Sequence, residues 1–551
     1  MNLQEKREEL LFIPLGGTNE IGMNLNVYCY QGKFLLVDCG SGFAGEEWPG
    51  VNMLVADISF IKQNKENIVG LFLTHAHEDH LGGIQYLWKD LQCPIYCTNF
   101  TANFLKARFI EYRITDADIH VIKSGSSIQL GPFNVETIGM THSAPEMQAL
   151  MIRTSRGNVL HTGDWKLDNN PLVGPKSDLQ RLKECGDEGV LALVCDSTNV
   201  FMEGHSGSEG DLKESLTNLI QDCDKLCVVT TFASNLARLD TLMKAAKQCN
   251  RKVILAGRSL HRMAKIAEES GYDLNFDDII DDAQFGMHHR KDLLVIATGC
   301  QGEPLATVSK MINETHNIKL TKGDTIIFSS KIIPGNEKRI FHMFNEFVKR
   351  GIEVITEKDH FVHVSGHPAV DELRTMYELV RPEIAIPVHG EPVHIHEHIK
   401  LAKKFGVKNA IEVENGTVVN VNGSSPCVLG KVKSGYYGID GDCMLPEYSP
   451  IFKARRIMNN SGVVVVNLVT KRGNLVADPV ISYPGCLDEN RDKRIMHKVS
   501  KQVSIEVKKK HGVYEKSECE KIVRSTVKRI IKNEIGKYPL IVVNICDIDN
   551  K

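Results

Sequence analysis

The chain lacks any run of 18 apolar residues, any CxxC pair, any internal repeat and any low-complexity tract. The first absence excludes a membrane-spanning helix of ordinary length. The second removes the thiol-only zinc ribbons. Fifteen cysteines are present, but their number is odd and their spacing irregular. They form no disulfide framework, and the expectation is reduced thiols in a cytoplasmic protein. The N-terminus, Met1–Leu10, carries acids and no long apolar stretch, so no signal peptide is expected. Charge of one sign is missing too. The 66 basic and 69 acidic residues give a net charge of −3, so no global positive field announces a nucleic-acid binder. The balance is uneven. Residues 491–540 hold 15 Lys/Arg and 6 Asp/Glu, a local excess of +9 that is either a solvated helix face or a polyanion contact. What is present is ordinary: 551 residues, 42% hydrophobic and 25% charged, enough for about three or four domains.

Short apolar runs separated by Gly, Asn and charge fill the first 200 residues, as at Leu11–Leu15, Asn26–Tyr30, Phe34–Cys39 and Val69–Leu73. Helical patterns interrupt them at Gly83–Asp90 and Thr101–Glu111. This mixture predicts a layered α/β fold. From about Glu209 the pattern becomes strict helix–strand alternation, which predicts a second, parallel-sheet domain inserted over 209–347. The first domain, 1–208, then resumes over 348–430. A Gly/Ser/Pro-rich stretch, Val421–Tyr437, reads as a linker or small β-region; the linker is expected over 431–460 and a small βααβ module, with helices Arg491–Lys510 and Lys516–Glu534, over 461–551.

The strongest chemical signal is Thr74-His75-Ala-His77-Glu78-Asp79-His80, directly after the apolar strand Val69–Leu73. Four ligand-type side chains within six residues cannot share one face of a helix or strand. A tight strand-to-helix turn can splay them around two ions. Imidazole together with carboxylate suits Zn²⁺ or Mn²⁺ rather than Ca²⁺. A polar turn with chance histidines is the alternative. Further downstream come His142 after strand Asn134–Ile138, Asp164 after Asn158–Leu160, Asp196 at the end of Leu191–Cys195, then His363-Val-Ser-Gly-His367 and His389 after Ile384–Val388.

The HxHxDH run with these followers resembles the metallo-β-lactamase superfamily. Asp196, His367 and His389 around an inserted α/β domain look like motifs A, B and C of its nucleic-acid-cutting β-CASP group. Gly16–Gly22, Asp164–Lys166, Phe232–Asn235, Thr298–Gly302 and Ser329–Gly335 extend the resemblance to the bacterial ribonuclease J family over roughly residues 10–545. The resemblance implies an αββα sandwich, a β-CASP insert and a C-terminal self-association module. It implies two Zn²⁺ per subunit, with Mn²⁺ or Mg²⁺ also able to support activity. His75, His77 and His142 would hold one ion, and Asp79, His80 and His389 the other. Asp164 would bridge them. A hydroxide held between the ions would attack phosphorus and leave a 5′-phosphate and a 3′-hydroxyl. His367 would serve as general acid, oriented by Asp196. Ser234, Asn235, His363, Val364, Ser365, Gly366 and His367 would surround the 5′-terminal nucleotide.

The function so implied is a 5′-to-3′ exoribonuclease preferring 5′-monophosphate ends, with endonuclease activity, in RNA maturation and decay. Expected partners are single-stranded RNA, further copies of the chain in a dimer or tetramer, and other RNA-decay proteins. No membrane is expected. The rival readings are a DNA nuclease or small-molecule hydrolase on the same ions, and a non-catalytic RNA-binding subunit. Gly50, Asn52 and Asp442 match positions where some family members hold a structural Ca²⁺, but three oxygen donors are few for that ion. His394, His396 and His398 alternate in a helical segment and diverge by about 200°, so they read as a solvated helix start rather than a third metal site.

Overall fold

The computed structural model describes residues 6–274, 279–333, 335–422, 426–471, 474–509 and 516–548. The chain divides into two units, residues 1–42 with 55–435, and residues 43–54 with 436–551.

The first unit contains two sheets stacked face to face. One has eight strands, in the order Cys427–Lys431, Thr417–Asn420, Leu11–Gly16, Leu25–Tyr30, Lys33–Val37, Ile68–Phe72, Ile95–Cys97 and Ile119–Val121. The other has seven, in the order Asn409–Ala410, Ile384–Val388, Ala192–Asp196, Gly157–His161, Gln148–Thr154, Phe133–Gly139 and Ser127–Leu130. Phe12, Tyr28, Val37 and Phe72 of the first interleave with Val135, Leu150, Val159, Val194 and Ile386 of the second in one dry core. Helices Leu179–Glu188, Val370–Val380 and Pro392–Lys404 cover the outer face of the second sheet through Leu182, Leu373, Met376 and Leu401. Strands buried on both faces read as unbroken apolar runs, which is why Leu11–Gly16 and Ala192–Asp196 lack polar alternation.

The insert forms a five-stranded sheet, all parallel, in the order Lys252–Ala256, Leu293–Ala297, Cys227–Thr230, Thr325–Phe328 and Glu353–Ile355. Its last strand lies beyond the expected boundary at 347. The run is only three residues, too short to stand out in the sequence, yet it pairs with Thr325–Ile327.

The second unit contains strand Val463–Lys471, paired in parallel with Leu540–Asp547 and backed by helices Lys493–Lys508 and Lys516–Ile535 around Val466, Leu468, Val503, Val527 and Ile531. The stretch 431–460 forms strands and a helix. It carries the hairpin Tyr436–Asp440/Cys443–Pro446 and helix Pro450–Ser461. Phe452 of that helix is fully buried and packs edge-on to Trp48. Glycine density hid these apolar anchors. Residues 423–425 of the Gly/Ser-rich stretch, Pro334 of the Ser329–Gly335 motif and Lys510, the expected end of a helix, lie outside the described residues. Among the described residues no helix is long and apolar enough to cross a membrane.

Candidate active site

The ligand-type residues leave the sandwich at the C-terminal ends of neighbouring strands. Ile68–Phe72 delivers Thr74–His80, Phe133–Gly139 delivers His142, Gly157–His161 delivers Asp164, Ala192–Asp196 ends on Asp196, and Ile384–Val388 delivers His389. Rigid strands thereby aim short loops at a common point. His77 is still extended, at φ −83° and ψ 152°, and caps the one-turn helix Glu78–Leu81. This switch turns His75 and His77 one way and Asp79 and His80 another.

Two groups result. His75 Nε2 and His142 Nε2 each lie 3.0 Å from His77 Nδ1, and Asp164 Oδ2 lies 3.9 Å from both Nε2 atoms. On the other side Asp164 Oδ2 is 3.0 Å from His80 Nε2 and 3.6 Å from His389 Nε2. Asp79 Oδ2 is 3.2 Å from His389 Nε2 and 3.7 Å from His80 Nε2. Within each group the ligand atoms lie within 4.8 Å of one another. Asp164 belongs to both.

The outward ring nitrogens fix the tautomers. His80 Nδ1–H donates to Asp38 Oδ2 at 2.7 Å, His142 Nδ1–H to the Gly366 carbonyl at 2.7 Å, and His75 Nδ1–H to Thr74 Oγ1 at 3.0 Å. His389 Nδ1–H donates to Thr198 Oγ1 at 2.7 Å, whose own proton goes to Asp196 Oδ1 at 2.7 Å. These four rings therefore turn bare Nε2 lone pairs inward, the usual way a protein prepares histidines for an ion. Asp164 is buried, and neither of its oxygens has a hydrogen-bond partner. A bare buried carboxylate is costly, and a cation between it and the four lone pairs removes the cost. The donor set fits zinc-like ions.

The electrostatics agree. Burial and the neighbouring imidazoles hold His75 well below its ordinary value, and burial takes His77 down to about 4. These rings resist protonation and remain available as ligands. For Asp164 burial alone would raise the carboxyl, but His389, His80 and His367 hold it well below the usual range. Burial lowers His389, yet Asp164, the Asp79 hydrogen bond and Asp196 bring it up to about 9.

Beside the second group stands His367. Its Nδ1–H donates to Asp196 Oδ2 at 2.8 Å and lies 3.8 Å from Asp164 Oδ2. Burial opposes its charge, but Asp196 and Asp164 raise its pKa. The His367 side chain is 22% exposed and that of Asp79 31%, while His80, Asp164 and Asp196 are closed off. The centre thus opens on the Asp79–His367 side. Gly366 is required here, because a Cβ would lie 2.7 Å from His142 Cε1.

The expected phosphate residues fall into two segments. Ser234 is half-buried after strand Cys227–Thr230. Asn235 is spent inside the protein: Oδ1 accepts from Arg238 N at 2.9 Å as a helix cap, and Nδ2 donates to Glu209 Oε1 at 3.0 Å. His363 has a buried Nδ1 without a hydrogen-bond partner. Burial, then Arg238, Lys331 and Lys166, hold its pKa well down. Val364 is buried, and Ser365 Oγ accepts from Asn199 Nδ2 at 2.7 Å. Arg238 is paired with Glu209 and Lys166 with Asp168, while Lys331 Nζ donates to Asn199 Oδ1 at 3.3 Å.

Two sequence expectations change. His394 and His398 are buried, not solvated; only His396 faces water. His398 bonds to Ser197 Oγ at 2.8 Å and to Tyr377 OH at 3.0 Å, so alternate positions of this helix start serve packing. Near Gly50, in the second unit, Arg455 donates to the Pro49 carbonyl at 3.3 Å and to Asp440 at 3.0 and 2.8 Å. The Arg455–Asp440 pair thus lies beside Gly50, one of the three residues, with Asn52 and Asp442, that the resemblance matched to a calcium site. Sequence reading also missed the roles of Asp38 and Thr198, which orient ligands without being ligands, and of Asn199, which holds the Ser365–His367 loop. The one signal for Asp38 was a carboxylate closing the apolar run Phe34–Val37.

Comparison with known proteins then adds names. Residues 34–176 match the family described as beta-lactamase superfamily domain, and 224–347 match ribonuclease J, beta-CASP domain. Residues 351–413 match Zn-dependent metallo-hydrolase RNA specificity domain, and 451–548 match ribonuclease J C-terminal domain. A ribonuclease J of Sinorhizobium meliloti is 40% identical over 479 residues, covering 86% of this chain and 85% of that protein. Ribonuclease J of Mycobacterium tuberculosis is 34% identical and covers 97% and 96%. That of Helicobacter pylori is 30% identical and covers 98% and 80%. A solved structure of a protein of unknown function from Enterococcus faecalis aligns with a TM-score of 0.51 at 17% identity, over 76% of this chain and 100% of that one, a likeness of fold alone.

Proposed function

This chain belongs to the ribonuclease J family, and from that premise we propose that it is a two-zinc 5′-to-3′ exoribonuclease preferring 5′-monophosphate RNA, with endonuclease activity. The fold is a metallo-β-lactamase sandwich with an inserted β-CASP domain and a C-terminal domain, and the protein is a metal-dependent ribonuclease. The observation that carries the finer reading is Asp164, bare and buried between two groups of inward-facing ligand atoms.

His75, His77, His142 and Asp164 would hold one ion; Asp79, His80, His389 and Asp164 the other. Bound there, zinc supplies Lewis acidity toward phosphoryl oxygens and acidifies water to a nucleophile at neutral pH, with Mn²⁺ or Mg²⁺ as substitutes. The chain's own part follows from its hydrogen bonds. Asp196 holds His367 through Nδ1, leaving Nε2 to give a proton to the leaving 3′-oxygen. Asp196 also receives Thr198, which holds His389, so one carboxylate sets both an acid and a ligand. Products carry a 5′-phosphate and a 3′-hydroxyl. The unpartnered His363 Nδ1 and Lys331 nearby support a subsite for a terminal monophosphate, which would exclude longer 5′ ends. We place the activity in RNA maturation and decay in the cytoplasm, on single-stranded RNA, alongside other decay proteins. Self-association into a dimer or tetramer runs through residues 461–551.

One RNA tests this, labelled at either end and carrying a 5′-monophosphate or a 5′-triphosphate. Chelator-sensitive release of mononucleotides from the monophosphate form is expected. Internal cuts alone would remove the exonuclease reading. Cleavage of DNA but not RNA, or no cleavage with any of the three metals, would return the rival readings.

A further inference from the structure

Arg238 is 0% exposed and uses its whole guanidinium inside the protein. Nε and Nη2 donate to the two oxygens of Glu209, each at 3.0 Å. Nη1 donates to the Ser329 carbonyl at 2.8 Å, to Ser329 Oγ at 2.6 Å and to the Val362 carbonyl at 3.3 Å. Ser329 Oγ also donates to the Val362 carbonyl, at 2.7 Å. Glu209 is itself buried and holds Asn235 through Nδ2 at 3.0 Å. One network therefore runs from Asn235 through Glu209, Arg238 and Ser329 to Val362.

Its position gives it meaning. Asn235 follows the strand Cys227–Thr230, and Ser329 follows its parallel neighbour Thr325–Phe328. Strands two and three of the insert lie on one side of that pair, with strand five on the other. The chain thus reverses its direction of winding between them, and such a switch point opens the crevice where parallel sheets bind ligands. Val362 is the residue immediately before His363. The network thus ties the first phosphate segment, Ser234–Asn235, to the start of the second, His363–His367.

The far end of that second segment is anchored separately. Asn199 Nδ2 donates to Ser365 Oγ at 2.7 Å and to the His367 carbonyl at 3.0 Å, and Asp196 holds the His367 ring. The acid end is fixed to the metal centre, and the phosphate end to the insert. We propose that Glu209 and Arg238 are positioning residues that hold the two halves of the 5′-phosphate subsite in register, and so set the preference for monophosphorylated ends without serving the cleavage step. This inference rests on the 5′-monophosphate reading above.

The test uses the full-length, zinc-loaded protein and three variants, Arg238→Lys, Glu209→Gln and Ser329→Ala. Ser329→Ala removes one donor to Val362 and leaves the ion pair whole, so it reads the same contact where a charge variant fails to fold. For each, kcat and KM are measured on 5′-monophosphate and 5′-hydroxyl RNA, and cleavage of a circular RNA without ends is measured in parallel. Expected is a rise of about tenfold in KM for the monophosphate substrate alone, with kcat kept. Circular RNA is expected to be cut within about twofold of wild type. An unchanged substrate ratio in folded variants overturns the proposal. So does a parallel fall on all three RNAs, which marks a purely structural role. A wild-type protein indifferent to the 5′ end overturns the parent reading, and this inference with it.

Discussion

Asp38→Asn is the most informative single change. Asp38 Oδ2 accepts from His80 Nδ1 at 2.7 Å, and Oδ1 accepts from Thr74 N at 2.8 Å. An amide of the same shape has only one acceptor for these two donors. Facing its NH₂ toward Thr74 N–H sets donor against donor, at about 1–3 kcal/mol for a buried group. The backbone N–H cannot yield, but the imidazole can. The amide therefore turns its NH₂ toward His80, whose proton moves from Nδ1 to Nε2. That nitrogen, 3.0 Å from Asp164 Oδ2, then carries a hydrogen where a lone pair is needed. Loss of one such orienting partner ordinarily weakens metal binding about 10–100-fold, or roughly 1.4–2.8 kcal/mol. The group at His75, His77 and His142 keeps its own partners and should keep its ion. Calorimetric titration of zinc into chelator-stripped protein should show two tight sites in the wild type, and one tight with one weakened in the variant. Two sites of wild-type affinity in Asp38→Asn would refute the tautomer argument.

Three further outcomes are expected. Gly366→Ala places a methyl 2.7 Å from His142 Cε1; RNA cleavage should fall about 100-fold by displacement of a ligand, with far-ultraviolet circular dichroism unchanged, and wild-type turnover would show that the loop yields freely. His367→Gln should lower kcat about 10²–10⁴-fold with zinc content kept by elemental analysis; loss of zinc would make it a ligand instead. His398 is held neutral by burial, its pKa taken from 6.5 down to about 4. The unfolded chain binds the proton more readily in that interval, so its contribution is whole above pH 6.5 and is lost as pH falls toward 4, about 3 kcal/mol in all. Urea midpoints across that range should drop more steeply for wild type than for His398→Gln.

The metal groups were legible because the chemistry demands particular atoms at strand ends, and few other roles put three histidines and an aspartate into six residues. Their orienting partners were not. Asp38 stands 42 positions before His80, and Thr198 stands 191 before His389; nothing local distinguishes them from other polar residues. The bonding of the Asn235 side chain was not legible for a physical reason. A helix N-terminus offers free N–H groups to a phosphate or to its own cap, and the sequence signal is the same for both. Here the Asn235 side chain makes the capping bond, to Arg238 N, within the segment that Ser234 begins. His394 and His398 were given to solvent because histidine is polar, while the helix start Pro392–His398 buries the face they share with Ile395. Helix Pro450–Ser461 was not read, because the chain before it is dense in glycine. The short strand Glu353–Ile355 was not read, because it gains its stability from the strand beside it rather than from its own composition.

The order of the chain bears on its synthesis. Strand Leu11–Gly16 takes Thr417–Asn420 as a neighbour, and the second metal group takes its last member, His389, only after the whole insert has been made. From Asp164 to His389 a ribosome needs roughly ten to forty seconds at ordinary elongation rates. For most of that interval the nascent polypeptide carries His75, His77 and His142 but no His367, and throughout it no His389. An enzyme that destroys RNA is thus born inert on an RNA machine, and acquires its cutting edge only once most of its length has emerged.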